Sequence, residues 1–143
     1  MIVFETLPAT IPTLVPNVPA YVTALRDLPF GAVLDTVGLA AAPGTPAGQV
    51  MYYQTLHQKP LAFGYLSREP ARVTGQNARI LGLLAQQDFA RLCNEFGIRY
   101  RVVNNQNAPQ FAGESVYQDD KVQILDLASG YGLSNPINCS GRR

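Results

Sequence analysis

Residues 51–70, MYYQTLHQKPLAFGYLSREP, hold the chain's one histidine, His57, and three of its seven tyrosines, Tyr52, Tyr53 and Tyr65. Gln54, Lys59, Ser67 and Arg68 are interleaved with them, and Gly64 stands where a tight backbone could be required. Gln54 and His57 are three apart, so a helix would turn both to one side. A neutral imidazole donates or accepts and a carboxamide does both at once, so the pair could hold a hydroxyl-rich ligand or a carboxylate. The alternative is that His57 braces the loop before Pro60. The tyrosines combine flat apolar faces with polar tips, which suits a stacked sugar ring; of the adjacent Tyr52 and Tyr53, at least one is expected to be structural. Ser67-Arg68 closes an expected strand, and an arginine there could clamp a carboxylate or phosphate at two points. Asp35 lies near the end of another expected strand, and ligands of open α/β sheets sit at the carboxyl ends of strands. An Asp35–Arg68 ion pair acting as a structural lock is the alternative for those two.

Reactive groupings are sparse. A Ser67, His57 and Asp35 triad can be written down, but Ser67 lacks the G-x-S-x-G setting that exposes a nucleophile. Cys93 falls on the apolar face of an expected helix, where a thiol behaves as a small hydrophobe. Asp119-Asp120 is a carboxylate pair at an expected hairpin tip, which reads as a solvated turn. No Gly-rich phosphate loop and no Cys/His metal spacing is present, so no cofactor is expected.

The elements that must position these groups alternate between strand and helix. Residues 1–18 carry Pro8, Pro12, Pro16 with Ile, Leu and Val between them, which predicts an extended, proline-rich strap over an apolar surface. A helix is expected over 19–28, with Asn17 as its cap and Pro19 in its first turn. FGAVLDTV, residues 30–37, reads as a buried, central, parallel strand. Residues 38–48 form a Gly/Pro loop. A short helix over 49–57 and a strand over 61–66 follow. Helices are expected over 74–84 and 88–96, broken at Gln86-Gln87, with Asp88 capping the second and Gly97 ending it. A strand over 98–103 and a terminal β-hairpin, 115–117 with 122–127, complete the pattern. The expectation is one α/β domain over 19–128, a small mixed sheet flanked by helices, followed by a loosely ordered tail over 129–143.

Bulk properties fit this picture. A chain of 143 residues suits one domain, and an apolar fraction of 47% is ordinary. The charged fraction is 15%, below the usual quarter, which suggests that a partner covers part of the surface. A net charge of +1 gives no field for a nucleic-acid backbone. Arg99 and Arg101 alternate with apolar residues and read as the solvent face of a strand. Cys93 and Cys139 could form a disulfide, but the pattern favours a buried thiol and a tail thiol. No apolar run is long enough to span a membrane, and MIVFETLPATIP is not a secretory signal, so the chain as written reads as cytoplasmic.

The central segment resembles part of the extracytoplasmic domain of multi-spanning bacterial and archaeal membrane proteins of the GT-C glycosyltransferase type. There the pattern is an aromatic pair, Gln-Thr, a variable residue, His, then Lys-Pro, then Gly-Tyr-x-Ser-Arg. Tyr52, Tyr53, Gln54, Thr55, His57, Lys59, Pro60, Gly64, Tyr65, Ser67 and Arg68 stand at those positions. IPTLVPNVPAYVTAL, FGAVLDT, IRYRVVN and VYQDDKVQILDL resemble the flanking parts, so the likeness covers about residues 11–127. The resemblance implies an accessory domain that contacts a glycan or packs on a membrane module, with the catalytic carboxylate expected elsewhere and an extracytoplasmic location for such a piece. The density of polar and aromatic groups in the segment points to a pocket of Gln54, His57, Tyr65, Ser67 and Arg68 as its site, and Asp35, near a strand end, is a further binding candidate. The tail LSNPINCSGRR has no counterpart in it, which hints at a truncated or frame-shifted product. Self-association as a homo-oligomer and a small hydrolase are the alternatives.

Overall fold

The computed structural model describes residues 17–37, 48–63, 70–107, 114–129 and Cys139. The expected strap, the Gly/Pro loop and the tail fall largely outside these residues. In chain order the elements are α1 (Ala20–Asp27), β1 (Ala32–Asp35), α2 (Gly48–His57), α3 (Ala71–Ala85), α4 (Phe89–Phe96), β2 (Ile98–Asn104), a 3-10 turn (Asn105–Asn107), β3 (Glu114–Gln118) and β4 (Val122–Asp126). The sheet order is β1-β2-β4-β3, with β1 parallel to β2 and the other neighbours antiparallel. This is the expected mixed α/β domain ending in a β-hairpin.

Successive strand residues point to opposite faces, so one strand serves two cores. Val33, Tyr100, Val102 and Ile124 pack with Tyr21, Val22 and Leu25 of α1 and Tyr53 of α2. Leu34, Ile98 and Leu127 pack with Ile80 and Leu83 of α3 and Phe89 and Leu92 of α4. Helices therefore cover both faces of the sheet.

Local chemistry sets the element ends. The Asp88 carboxylate accepts from the Arg91 backbone N–H at 3.1 Å and caps α4. Gly97, with φ 67°, ends the same helix in the left-handed region that glycine adopts freely. Gln87, at φ 56°, breaks the chain between α3 and α4 at the expected place.

Five sequence expectations are corrected. Pro19, not Asn17, occupies the cap position of α1, and no side chain caps that helix. β1 is an edge strand of the four-stranded sheet rather than a central one. Its outer side carries one parallel bridge to Leu61: the Val33 N–H donates to Pro60 O at 2.7 Å and the Ala62 N–H to Val33 O at 2.8 Å. The strand expected over 61–66 is thus a single bridge among the described residues. Arg99 and Arg101 do not form a solvent face, because α4 and the β4 end cover that side. Arg99 forks onto Asp126 at 2.9–3.2 Å, and the Arg101 guanidinium lies 5.5 Å from the Phe89 ring centre. Finally, Cys93 and Cys139 are joined in a disulfide, with Cα atoms 4.6 Å apart. Cys93 does sit on the buried face of α4, as its pattern indicated; what brings Cys139 to it is tertiary structure.

Candidate functional site

The described part of the histidine segment, residues 51–63, forms a corner. His57 ends α2 and is buried. Gln58 follows in the left-handed region at φ 57°, its N–H bonded to the Gln54 carbonyl at 2.8 Å. That turn brings the Lys59 N–H onto His57 Nδ1 at 3.0 Å. The accepting nitrogen must be unprotonated, so the neutral ring carries its proton on Nε2. Burial, and then the Lys59 charge, hold the imidazole below its ordinary value of 6.5. The Lys59 ammonium is itself buried and donates to Leu28 O at 2.7 Å, just past the end of α1. Burial and Arg99 lower its pKa. Tyr100, 5.9 Å beneath that ammonium, donates to Pro29 O at 2.9 Å, and burial pushes its phenol up to about 12.

Asp35 is also buried, and Tyr21 donates to its Oδ2 at 3.0 Å. Burial, with the carboxylate beside it, raises the Tyr21 pKa and keeps the phenol protonated. Tyr21 meets Tyr53 edge to face at 6.1 Å, and Tyr53 accepts from Gln49 Nε2 at 2.7 Å. His57 and Asp35 are thus held by different partners. Tyr65, Ser67 and Arg68 lie outside the described residues, as does the Ser67 member of the conceivable triad. Gln54 is half-buried.

A groove of about 590 Å3 opens at the carboxyl ends of the parallel strands β1 and β2, within the usual range for ligand cavities. Its floor is Tyr21, Tyr53, Val37 and Val122; Asn17, Gln49, Asn104, Gln106, Asp120 and Lys121 stand around it. Gln54, His57 and Asp35 do not line it. Tyr21 and Tyr53 are each only 4% exposed, so they offer no open stacking face.

One wall of the groove is built by the hairpin tip. Asp119 Oδ1 accepts from the Lys121 and Val122 N–H groups at 2.8 and 2.7 Å, and Oδ2 accepts from Tyr117 at 3.0 Å. The two backbone bonds, foremost, keep this carboxyl below its ordinary pKa. Asn105 bolts the tip to the 3-10 turn: its N–H donates to Lys121 O at 2.9 Å and its side-chain amide to Asp119 O. The opposite wall holds the first turns of α1 and α2.

Sequence reading noted Asp119-Asp120 and the polar stretch after β2 but did not join them to Asn17 and Gln49. Only the strand order brings these four places to one end of the sheet. The groove supplies hydrogen-bond donors and acceptors without an evident nucleophile–base pair. Among the described residues no cluster of His, Cys, Asp and Glu could hold a metal ion, and no helix is long and apolar enough to cross a membrane. No family model matches the chain, and neither a curated protein nor a solved structure does.

Proposed function

We propose that this domain binds a hydroxyl-rich, glycan-like ligand in the groove at the strand ends, as an accessory domain of a membrane glycosyltransferase of the GT-C type. The observation that carries the reading is the ring of carboxamides, Asn17, Gln49, Asn104 and Gln106, around one cavity. Each carboxamide both donates and accepts, which matches vicinal hydroxyls that do the same. The buried tyrosines at the floor and the prearranged hairpin wall reduce the ordering cost of binding. The resemblance of residues 51–68 to the extracytoplasmic domain of such enzymes supports the same reading. So does the Cys93–Cys139 disulfide, because disulfides persist in oxidising, extracytoplasmic compartments. A hydrolytic reading has less support, since His57 spends Nδ1 on a backbone N–H and cannot use it as a base.

The test is saturation-transfer NMR of the folded domain against mixed oligosaccharides, with wild type, Asn104→Ala/Gln106→Ala and Gln54→Ala. Transfer to a saccharide that the double variant loses and Gln54→Ala keeps is expected. Loss in Gln54→Ala alone would move the site to the Gln54–His57 end of α2, and no transfer to any saccharide would reject the glycan reading.

A further inference from the structure

We infer that the groove selects uncharged saccharides, rejecting acidic ones and amino sugars alike; this rests on the glycan reading above and names the ligand class for it. Among the described lining residues the charged side chains are Asp119, Asp120 and Lys121. They sit together on the hairpin wall, one carboxylate in excess. Facing them are the amino ends of α1 and α2, through Ala20, Tyr21 and Gln49. A helix amino end carries roughly half an elementary positive charge, so two such ends offset the excess carboxylate. α1 has no side-chain cap; its Val22 N–H bonds to the Pro19 carbonyl at 3.1 Å, and among the described residues no carboxylate of its own chain neutralises that end.

The Asp119 member of this balance is fixed. The two oxygens of Asp119 are engaged by Lys121, Val122 and Tyr117, so this carboxylate keeps the tip in shape and is not a free partner for an ammonium. Asp120 and Lys121 are exposed neighbours, and each screens the other from an ion arriving in the groove. The Asp35 carboxylate lies behind Tyr21, which donates to it. A carboxylate, sulfate or ammonium entering here leaves water without meeting an uncompensated opposite charge, and that desolvation weakens binding. Neutral hydroxyls and N-acetyl groups find what they need in the carboxamides.

The experiment uses a printed array of neutral, N-acetylated, amino, sulfated and uronic-acid oligosaccharides, probed with wild type and with Asp120→Lys. The exposed Asp120 side chain makes no hydrogen bond among the described residues, and a thermal melt confirms that the variant folds. Wild type should bind neutral or N-acetylated saccharides at least about tenfold better than charged analogues of the same backbone. Asp120→Lys shifts the wall by two unit charges, to a net positive, and should raise binding of sulfated or uronic saccharides about tenfold or more. Wild-type preference for a charged analogue, or no response to Asp120→Lys, would overturn the selectivity while leaving the glycan reading intact. Binding to no saccharide at all would overturn both.

Discussion

The ammonium of Lys59 donates a 2.7 Å hydrogen bond to the carbonyl of Leu28, thirty-one residues earlier. Leu28 is the residue at which α1 stops, so the lysine caps the negative end of a helix from another part of the chain. His57 fixes the lysine's backbone, Pro60 hands its carbonyl to β1, and Tyr100 lies under the ammonium. The short run His57 to Pro60 is therefore a clasp that joins α1, α2, β1 and β2. Replacing Lys59 by Met keeps the apolar stem and removes the charged donor from a half-buried carbonyl. A charge-assisted hydrogen bond of this kind is worth about 1.5–3 kcal/mol, and a loss of about 2 kcal/mol is expected in urea unfolding. No change in the midpoint would mean that the clasp contributes nothing.

That clasp explains why the densest chemical segment of the sequence was legible as important and illegible as to role. Sequence gives the residue types of His57, Lys59 and Pro60, and polar groups with these abilities serve a ligand or a backbone equally well. Which one they serve depends on where Leu28 and Val33 lie, and that is fixed by pairing between distant segments. Features governed by neighbouring residues were read directly: α2, the Asp88 cap, the Gly97 stop and the terminal hairpin. Features governed by strand order were not. β1 carries the apolar run of a central strand because helices cover both of its faces, although among the described residues only one of its edges is paired by a full strand. Asn17, Gln49, Asn104 and Asp120 look like unrelated loop and helix-end residues until that order brings them together.

The His57 interaction predicts an acid-sensitive fold. Its pKa in the folded protein is depressed, so the unfolded chain binds the proton more readily. The stabilising contribution is fully present above the ordinary histidine value of 6.5, and it is lost as pH falls through the lower folded-state value. Protonation also destroys the Nδ1 acceptor and sets a second cation beside Lys59. Urea midpoints measured from about pH 8 down to about pH 5 should fall once the pH drops below the ordinary histidine range. His57→Asn should be less stable at neutral pH and should lose that pH dependence. A variant with an unchanged pH profile would assign the acid sensitivity to other groups.

The Cys93–Cys139 bond closes a separation of 46 residues. Loop-closure entropy for a loop of that length gives about 4 kcal/mol as the ideal stabilisation, with measured values often lower. Reduction and Cys139→Ser should each lower stability by a similar 2–4 kcal/mol, roughly, because both release the same constraint. Cys93→Ser alone should cost more, since it also places a hydroxyl in the core where Cys93 is fully buried. Thiol labelling of the unfolded, unreduced protein should find no free cysteine. Quantitative labelling before reduction would show that the bond does not form.

The glycines give a prediction of opposite signs from one substitution. A Cβ on Gly31 would lie 2.5 Å from Arg99 Cβ and 2.9 Å from its Cδ. The nearest obstacle belongs to the root of the arginine, which cannot swing aside without moving β2, and Arg99 is further held by its fork onto Asp126. Gly31→Ala should therefore destabilise by about 1–3 kcal/mol or more, the range for overpacking. Truncating the arginine in Gly31→Ala/Arg99→Ala should not rescue it, because the Cβ–Cβ clash remains. Gly75 and Gly82 lie within α3, and a Cβ at either meets nothing within 4 Å. There alanine only restricts the unfolded chain and favours the helix, so each change should stabilise by about 0.5–1 kcal/mol. Urea unfolding of the three single variants decides the matter: stabilisation by Gly31→Ala, or rescue by Arg99→Ala, would show that the α1–β1 connection yields where the packing says it cannot.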